Sequence, residues 1–285
     1  MITETIFEAV LDTLKLLPFL YLTYLAMEYL EERAEEKMIR TLWKYEKAGP
    51  AIGAALGIVP QCGFSASAAS LFSGGLITGG TLLAVFLSTS DEMLPIMLSQ
   101  AVAPMTIAKI LLTKFLFALV FGFALDFFRG LIKRKPNFKH IHDMCEREDC
   151  HCEEGNIFKS ALIHTLHVIL FIFVITLAFA FLVEMLGEDK LAGFISQSPQ
   201  MGAFLCGIIG LIPNCAASVM ITELYLRGII SAGQMIAGLM VGAGVGLLVL
   251  FRTNENMREN IRLLVCLYGC GVLAGLLTDA IGLTF

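Results

Sequence analysis

The chain has 285 residues, 57% of them hydrophobic and only 16% charged, with a formal net charge of −5. Its mean hydropathy of +0.78 excludes an ordinary soluble domain and predicts a polytopic membrane protein. The expected partner is therefore the lipid bilayer, not a nucleic acid, and where the charges sit matters more than their sum.

The first apolar segment, 5–29, is too long for a signal-peptide core and no A-x-A-like site follows, so it reads as a retained helix. The stretch "LEERAEEKMIRTLWKYEK" (30–47) mixes both signs, holds the only Trp, and reads as an interfacial helix. Apolar segments follow at 48–73, 76–98 and 107–130, then a polar stretch at 131–158, then apolar segments at 160–186, 203–225, 229–251 and 262–285. Within the second segment, "GIVPQCGFSAS" (57–67) places Pro60, Gln61 and Cys62 where a membrane helix should run. Proline has no backbone N–H to give, and the Gly and Ser around it form helices poorly. A break there exposes backbone groups that hydrocarbon cannot satisfy, and it is tolerated where it lines a cavity.

The two halves of the chain are related. At an offset of 153 (Pro60 to Pro213), "GIVPQC" (57–62) lies over "GLIPNC" (210–215), and Ser65 over Ser218. The same offset pairs Gly75 with Gly228, Gly80 with Gly233, Lys109 with Arg262, Gly122 with Gly275 and Asp126 with Asp279. At 152, "DTLK" (12–15) lies over "HTLH" (164–167). A unit at 1–130 is thus duplicated as 159–285, with 131–158 as the linker.

Basic residues concentrate in 31–47, in 129–159 and at Arg252, Arg258 and Arg262. If 48–73 crossed the membrane once, the first two clusters would face opposite sides. A re-entrant hairpin at the Pro-Gln-Cys break puts all three on the cytoplasmic face. Each repeat then crosses three times and the second is inverted. The expected fold is all-α: two inverted repeats, each with three membrane-crossing helices plus a re-entrant or broken-helix hairpin, about ten helical segments in all. The hairpin tips would meet near the midplane, the plan of a secondary transporter. The expected location is the inner membrane of the cell, with the 131–158 linker cytoplasmic and room for a homo-oligomer.

The paired tips supply the first candidate residues: Gln61, Cys62 and Ser65 with Asn214, Cys215 and Ser218. Their carbonyls, thiols and hydroxyls could coordinate a cation or a metalloid, helix N-termini would favour an anion, and small residues also simply allow close packing. In "LSTSDEMLP" (87–95), Thr89, Ser90, Asp91 and Glu92 lie inside an apolar segment. Carboxylates at membrane depth usually face a pathway, and beside two hydroxyls they make hard oxygen ligands for Mn²⁺, Mg²⁺ or a proton. Their second-repeat mates are Gly244 and Val245. The alternative is that the helix ends by residue 90 and Asp91 lies at the surface.

His164 and His167 are one turn apart and could share a metal or relay a proton, or could merely snorkel near the start of their segment, as Asp12 and Lys15 would. The linker run "KHIHDMCEREDCHCEEG" holds His140, His142, Cys145, Cys150, His151 and Cys152, a His/Cys-rich tract suited to metal capture or sensing. It lacks the paired C-x-x-C of a zinc finger, and in the reducing cytoplasm its thiols would be free ligands. Asp126 and Asp279 occupy equivalent places near the ends of their helices, where each could cap or pair structurally.

The two G-x-x-P-x-C motifs, each followed by Ser and then by "GGLITGG" (74–80) or "RGIISAG" (227–233), resemble the arsenical-permease superfamily. With "STSDEMLP" and the His-rich linker before "HTLH", the layout is more similar still to the ten-helix heavy-metal exporter family, over most of the chain. The resemblance implies metal or metalloid efflux, either of arsenic or of manganese. It departs from the arsenical permeases at one point: a single Cys follows each Pro, where those carry a Cys-Ser-Cys run. A three-thiolate arsenic site would have to recruit Cys206, Cys266 or Cys270.

The leading expectation is a secondary transporter, not an enzyme, that exports a divalent metal such as manganese in exchange for protons. Gln61, Asn214, Asp91 and Glu92 would hold the ion, and Asp91, Glu92, His164 or His167 would carry the proton. No G-x-x-x-x-G-K-[ST] motif is present, so the drive is a gradient or another subunit. No cofactor is expected beyond the transported ion. The alternative ligand is arsenite or an organoarsenical on Cys62 and Cys215. A metal sensor built on the linker is a further alternative. An intramembrane enzyme is remote: "GFSA" (63–66) is loosely similar to the G-x-S-x motif of rhomboid proteases, with His164 or His167 as base, but the second repeat reads "AASV".

Overall fold

A computed structural model describes residues 48–59, 62–90, 93–130, 157–186, 199–213 and 215–285, together with single positions between 10 and 25. Among the described residues all regular structure is helical, as the composition predicts. The first half holds α1 (Gly49–Gly57), α2 (Cys62–Ser73), α3 (Gly79–Ser88), α4 (Met93–Ser99) and α5 (Pro104–Gly130). The second holds α6 (Ile157–Leu186), α7 (Pro199–Gly210), α8 (Cys215–Leu226), α9 (Ala232–Val241), α10 (Val245–Thr253) and α11 (Met257–Ile281). Adding 153 to the bounds of α2 and α3 gives α8 and α9 residue for residue, and it carries the start of α5 onto the start of α11.

The duplication extends to the chemistry of the turns. α2 ends where Gly75 takes a left-handed φ of 75°. The Leu76 N–H then reaches back to the Leu71 carbonyl at 2.9 Å, and the Gly75 N–H to Phe72 at 3.0 Å. α8 ends the same way: Gly228 has φ 71°, with Ile229 on Leu224 and Gly228 on Tyr225, both at 2.9 Å. A side chain at either glycine would strain this helix stop. The next helix starts on a hydroxyl in both halves. Thr78 accepts from the Thr81 N–H at 3.0 Å. Ser231 and Gln234 form a full capping box, with bonds of 3.1 and 3.0 Å.

The structure interrupts more helices than the sequence reading does. α1 and α2 have nine and twelve residues, about 14 and 18 Å, so neither crosses an apolar layer of roughly 30 Å alone. The gap between them holds the break expected at Pro60, Gln61 and Cys62, of which Pro60 and Gln61 lie outside the described residues. Segments 76–98 and 229–251, read from the sequence as unbroken crossings, are interrupted as well: α3 stops at Ser88 before α4, and α9 stops at Val241 before α10. In the first half, hydroxyls compete for the backbone acceptors. Ser88 donates to the Ala84 carbonyl at 2.8 Å and Thr89 to Val85 at 2.7 Å. In the second half no hydroxyl is needed, because Gly244 turns the chain with φ 54°.

These interrupted helices form the interior. Taken across their breaks, 79–99 and 232–253 are long and apolar enough to span a membrane, and they are 75% and 78% buried within the protein. The corresponding spans 104–128 in α5 and 257–281 in α11 are 22% and 39% buried. Leu112, Leu116, Val120, Phe123 and Phe127 form an exposed stripe along α5, suited to lipid. Within each half, α3 packs on α1 and α5, and α9 packs on α7 and α11. Between halves the contacts are reciprocal: α2 lies against α10, α8 against α4, and α3 against α9. Equivalent helices of the two halves thus meet equivalent partners across the halves.

Candidate functional site

The first-half breaks meet one another. Ser88, Thr89 and Ser90 are all buried, and the Ser90 hydroxyl donates to the Ile58 carbonyl at 3.0 Å. Ile58 is the residue on which α1 ends. Ser90 therefore stitches the end of α3 to the end of α1. The helix does end by residue 90, as the more conservative reading has it, but it ends inside the protein and not at a surface. Replacing Ser90 by Ala should loosen this junction by about 1 kcal/mol. Thermal unfolding of the purified protein measures it, and an unchanged melting temperature would show that the bond contributes nothing.

The junction contains a residue that the sequence reading passes over. Lys114, in the middle of α5, is fully buried; among the described residues no other Lys or Arg is. Its Nζ donates to the Thr89 carbonyl and, at 3.2 Å, to the Leu239 carbonyl on α9. Both acceptors lie at helix C-termini. Thr89 is the residue at which α3 leaves helical geometry, with ψ 129°. Leu239 lies in the last turn of α9, where the Ala243 N–H bonds Val241 instead, at 2.8 Å. Carbonyls in a last turn lack intrahelical donors and carry the negative end of the helix dipole. Two such ends converge on one ammonium. The carbonyls of Gly238, Leu239 and Gly210 also lie near Gly242, at ordinary contact distances of 3.4, 3.7 and 3.8 Å from where an added Cβ would be. The second-half mate of Lys114 is Leu267, 1% exposed, so the duplicated fold does not require a lysine at this place. A signal was available: Lys114 is the one charge in 110–125, and a charge inside a membrane segment is a functional pointer.

Of the other expected site residues, Ser65 is fully buried on α2. A Cβ on Gly246, at the start of α10, would come within 2.8 Å of Ser65 and 2.9 Å of the Phe86 ring. The structure thus brings Ser65, the last turn of α3 and the second break of the other half to one place. Ser218 is half-buried on α8. Cys62 and Cys215 are the first residues of α2 and α8. His167 is exposed on α6, off the face formed by Ala161, Thr165, Val168 and Ile172. Gln61, Asp91, Glu92, Asn214, Asp12, Lys15 and the linker residues His140, His142, Cys145, Cys150, His151 and Cys152 lie outside the described residues, as do the side chains of Cys62, His164 and Cys215.

Cys206 is buried in the core, and Cys266 and Cys270 are partly buried one turn apart on α11. Among the described residues, no three His, Cys, Asp or Glu side chains stand close enough to hold a metal. The paired aspartates turn out to be helix caps. Asp126 accepts from the Gly80 N–H at 2.8 Å and the Thr78 hydroxyl at 2.6 Å. Asp279 accepts from Gly233 and Ser231, both at 2.8 Å.

Compared with known families, residues 2–185 match the family described as "Putative, 10TM heavy-metal exporter". The match runs through the first repeat, the linker and α6, and it includes Thr89, Ser90 and Lys114. No curated protein and no solved structure matches the chain.

Proposed function

The chain belongs to the 10TM heavy-metal exporter family, and on that premise we propose that it carries a divalent cation, manganese foremost, out across the inner membrane in exchange for protons. The observation that supports a cation is the convergence of the Thr89 and Leu239 carbonyls on the Lys114 ammonium. The field at the crossing of the interrupted helices favours positive charge. The donors there are hard oxygens, of backbone and of Ser and Thr, which suit Mn²⁺ better than a soft metalloid. Asp91 and Glu92 follow directly on Ser90 in the chain and are assigned here as ion ligands and proton carriers. Gln61 and Asn214 complete the site from the paired tips. The reciprocal contacts between halves support two repeats inverted about an axis in the membrane plane, with 48–73 and 203–225 as re-entrant hairpins and the linker cytoplasmic.

One observation favours a second ligand. Cys62 and Cys215 open α2 and α8, and helix N-termini favour negative charge. A pair of thiolates there would take arsenite or an organoarsenical.

Elemental analysis of cells expressing the protein separates the two readings. Cells are challenged with manganese, zinc, iron, cobalt or arsenite, beside an Asp91→Asn/Glu92→Gln control. Manganese should fall severalfold in cells with the native protein and return to the level of empty cells in the control. A fall in arsenic that survives the control would move the site to the cysteines. No change in any element would overturn the transport reading.

A further inference from the structure

We propose that the C-terminal carbonyls of α3 and α9 form a cation cage whose occupant in this conformation is the protein's own Lys114 ammonium, and that a transported cation enters only by expelling it. The cage stands on geometry alone, whereas the expulsion rests on the metal-export reading above.

An ammonium sealed from water needs substitutes for its hydration shell. Lys114 Nζ, which carries up to three N–H donors, finds two such substitutes in the Thr89 and Leu239 carbonyls. These belong to different halves of the protein, and each is the open end of an interrupted helix. Packing does not demand the lysine, since Leu267 fills the same position of the duplicated helix with a purely apolar side chain. Charge therefore distinguishes the two halves at this point, and the charge is tethered. Lys114 lies in the middle of a 27-residue helix, so its stem can withdraw the head group without breaking the chain. A second cation cannot share two carbonyls that the ammonium already occupies. Binding of a mobile cation and seating of Lys114 thus exclude each other, and the helix ends from the two halves are released from one another only while the lysine is out.

The test uses the purified full-length protein in detergent and the variants Lys114→Met, which keeps most of the stem, and Lys114→Ala, which opens more room. Melting temperature is followed against potassium chloride and ethylammonium chloride, with tetramethylammonium chloride as the ionic-strength control. Both variants should start below the native protein. At least one should gain several degrees with ethylammonium or potassium over the bulky control, while the native protein gains none. If neither variant responds differently from the native protein, there is no cage. In cells, Lys114→Met should lower the KM for manganese severalfold and also slow the maximal rate, because an internal competitor and the device that resets the site are lost together. An unchanged KM with a lower rate would overturn the expulsion. Absence of manganese export by the native protein would overturn the function proposed above, and the melting experiment would still decide the cage.

Discussion

Replacing Gly80 or Gly233 by Ala should cost the protein about 3 kcal/mol or more, whereas Gly269→Ala should be neutral or slightly stabilising. A Cβ at Gly80 would overlap the Asp126 carboxyl and the Gly122 carbonyl, and one at Gly233 would overlap Asp279 and the Gly275 carbonyl. At each site one atom in the way is a backbone carbonyl oxygen, which no rotamer change relieves, and the others are the capping carboxylate, which can swing aside only by giving up its bonds. α3 would have to move off α5, or α9 off α11, and these are the main helix contacts within each half. Separation also stretches the Gly80–Asp126 and Gly233–Asp279 bonds, so overpacking and a lost charged hydrogen bond act together. In lipid, close backbone approach is a principal source of helix association, because apolar side chains gain nothing by leaving one apolar medium for another. Gly269 lies on α11 with nothing within 4 Å of an added Cβ, so there the substitution yields only the helix preference of Ala over Gly, roughly 1 kcal/mol. Thermal unfolding in detergent of the three variants measures the contrast. Equal melting temperatures would show that the small residues at 80 and 233 are not what sets the helix spacing.

The duplication was legible because it is written in residues with special backbone roles. Gly75 and Gly228 stop helices with positive φ; Gly80, Gly122 and their mates set helix spacing; Asp126 and Asp279 cap. Each is hard to replace, so each survives where the apolar residues around it have drifted. The second pair of interruptions left no such common trace. One half turns on Ser88, Thr89 and Ser90, the other on Gly242 and Gly244, so a residue-by-residue comparison finds nothing to align. Hydropathy stays high across both breaks, and they pass for unbroken crossings. Lys114 was missed for a related reason. A comparison of repeats draws attention to what is shared, and Lys114 is opposite Leu267. The candidate site itself was legible in part. Ser65, Thr89 and Ser90, singled out in the sequence as candidate ligands, are buried in the structure. The backbone carbonyls that complete it could not be read from side-chain identity, because every residue has one and only helix ends leave it open.

Asp126→Ala should destabilise the protein by about 2 kcal/mol and Asp279→Ala by about 1, and neither should abolish metal export by the protein that remains folded. Each carboxylate takes the N–H of a helix's second residue and the hydroxyl of its cap residue. Removing it strands two donors at a helix N-terminus that also loses a favourable negative charge. An unmet donor costs on the order of 1–3 kcal/mol when buried and less when water can replace the partner. That difference separates the two halves: Asp126 is half-buried, whereas Asp279 and Ser231 are exposed. The identical bond pattern therefore contributes unequally. Asn should restore part of the loss at either position, since its carbonyl can keep one of the two bonds while its amide opposes the other donor. Thermal unfolding ranks the variants, and manganese retention in cells, normalised to folded protein, tests the second half of the statement. If Asp126→Ala melted like the native protein and exported nothing, the carboxylate would belong to the ion pathway and the cap would be incidental. The opposite pattern, lower melting with export per folded molecule intact, places both aspartates in the scaffold.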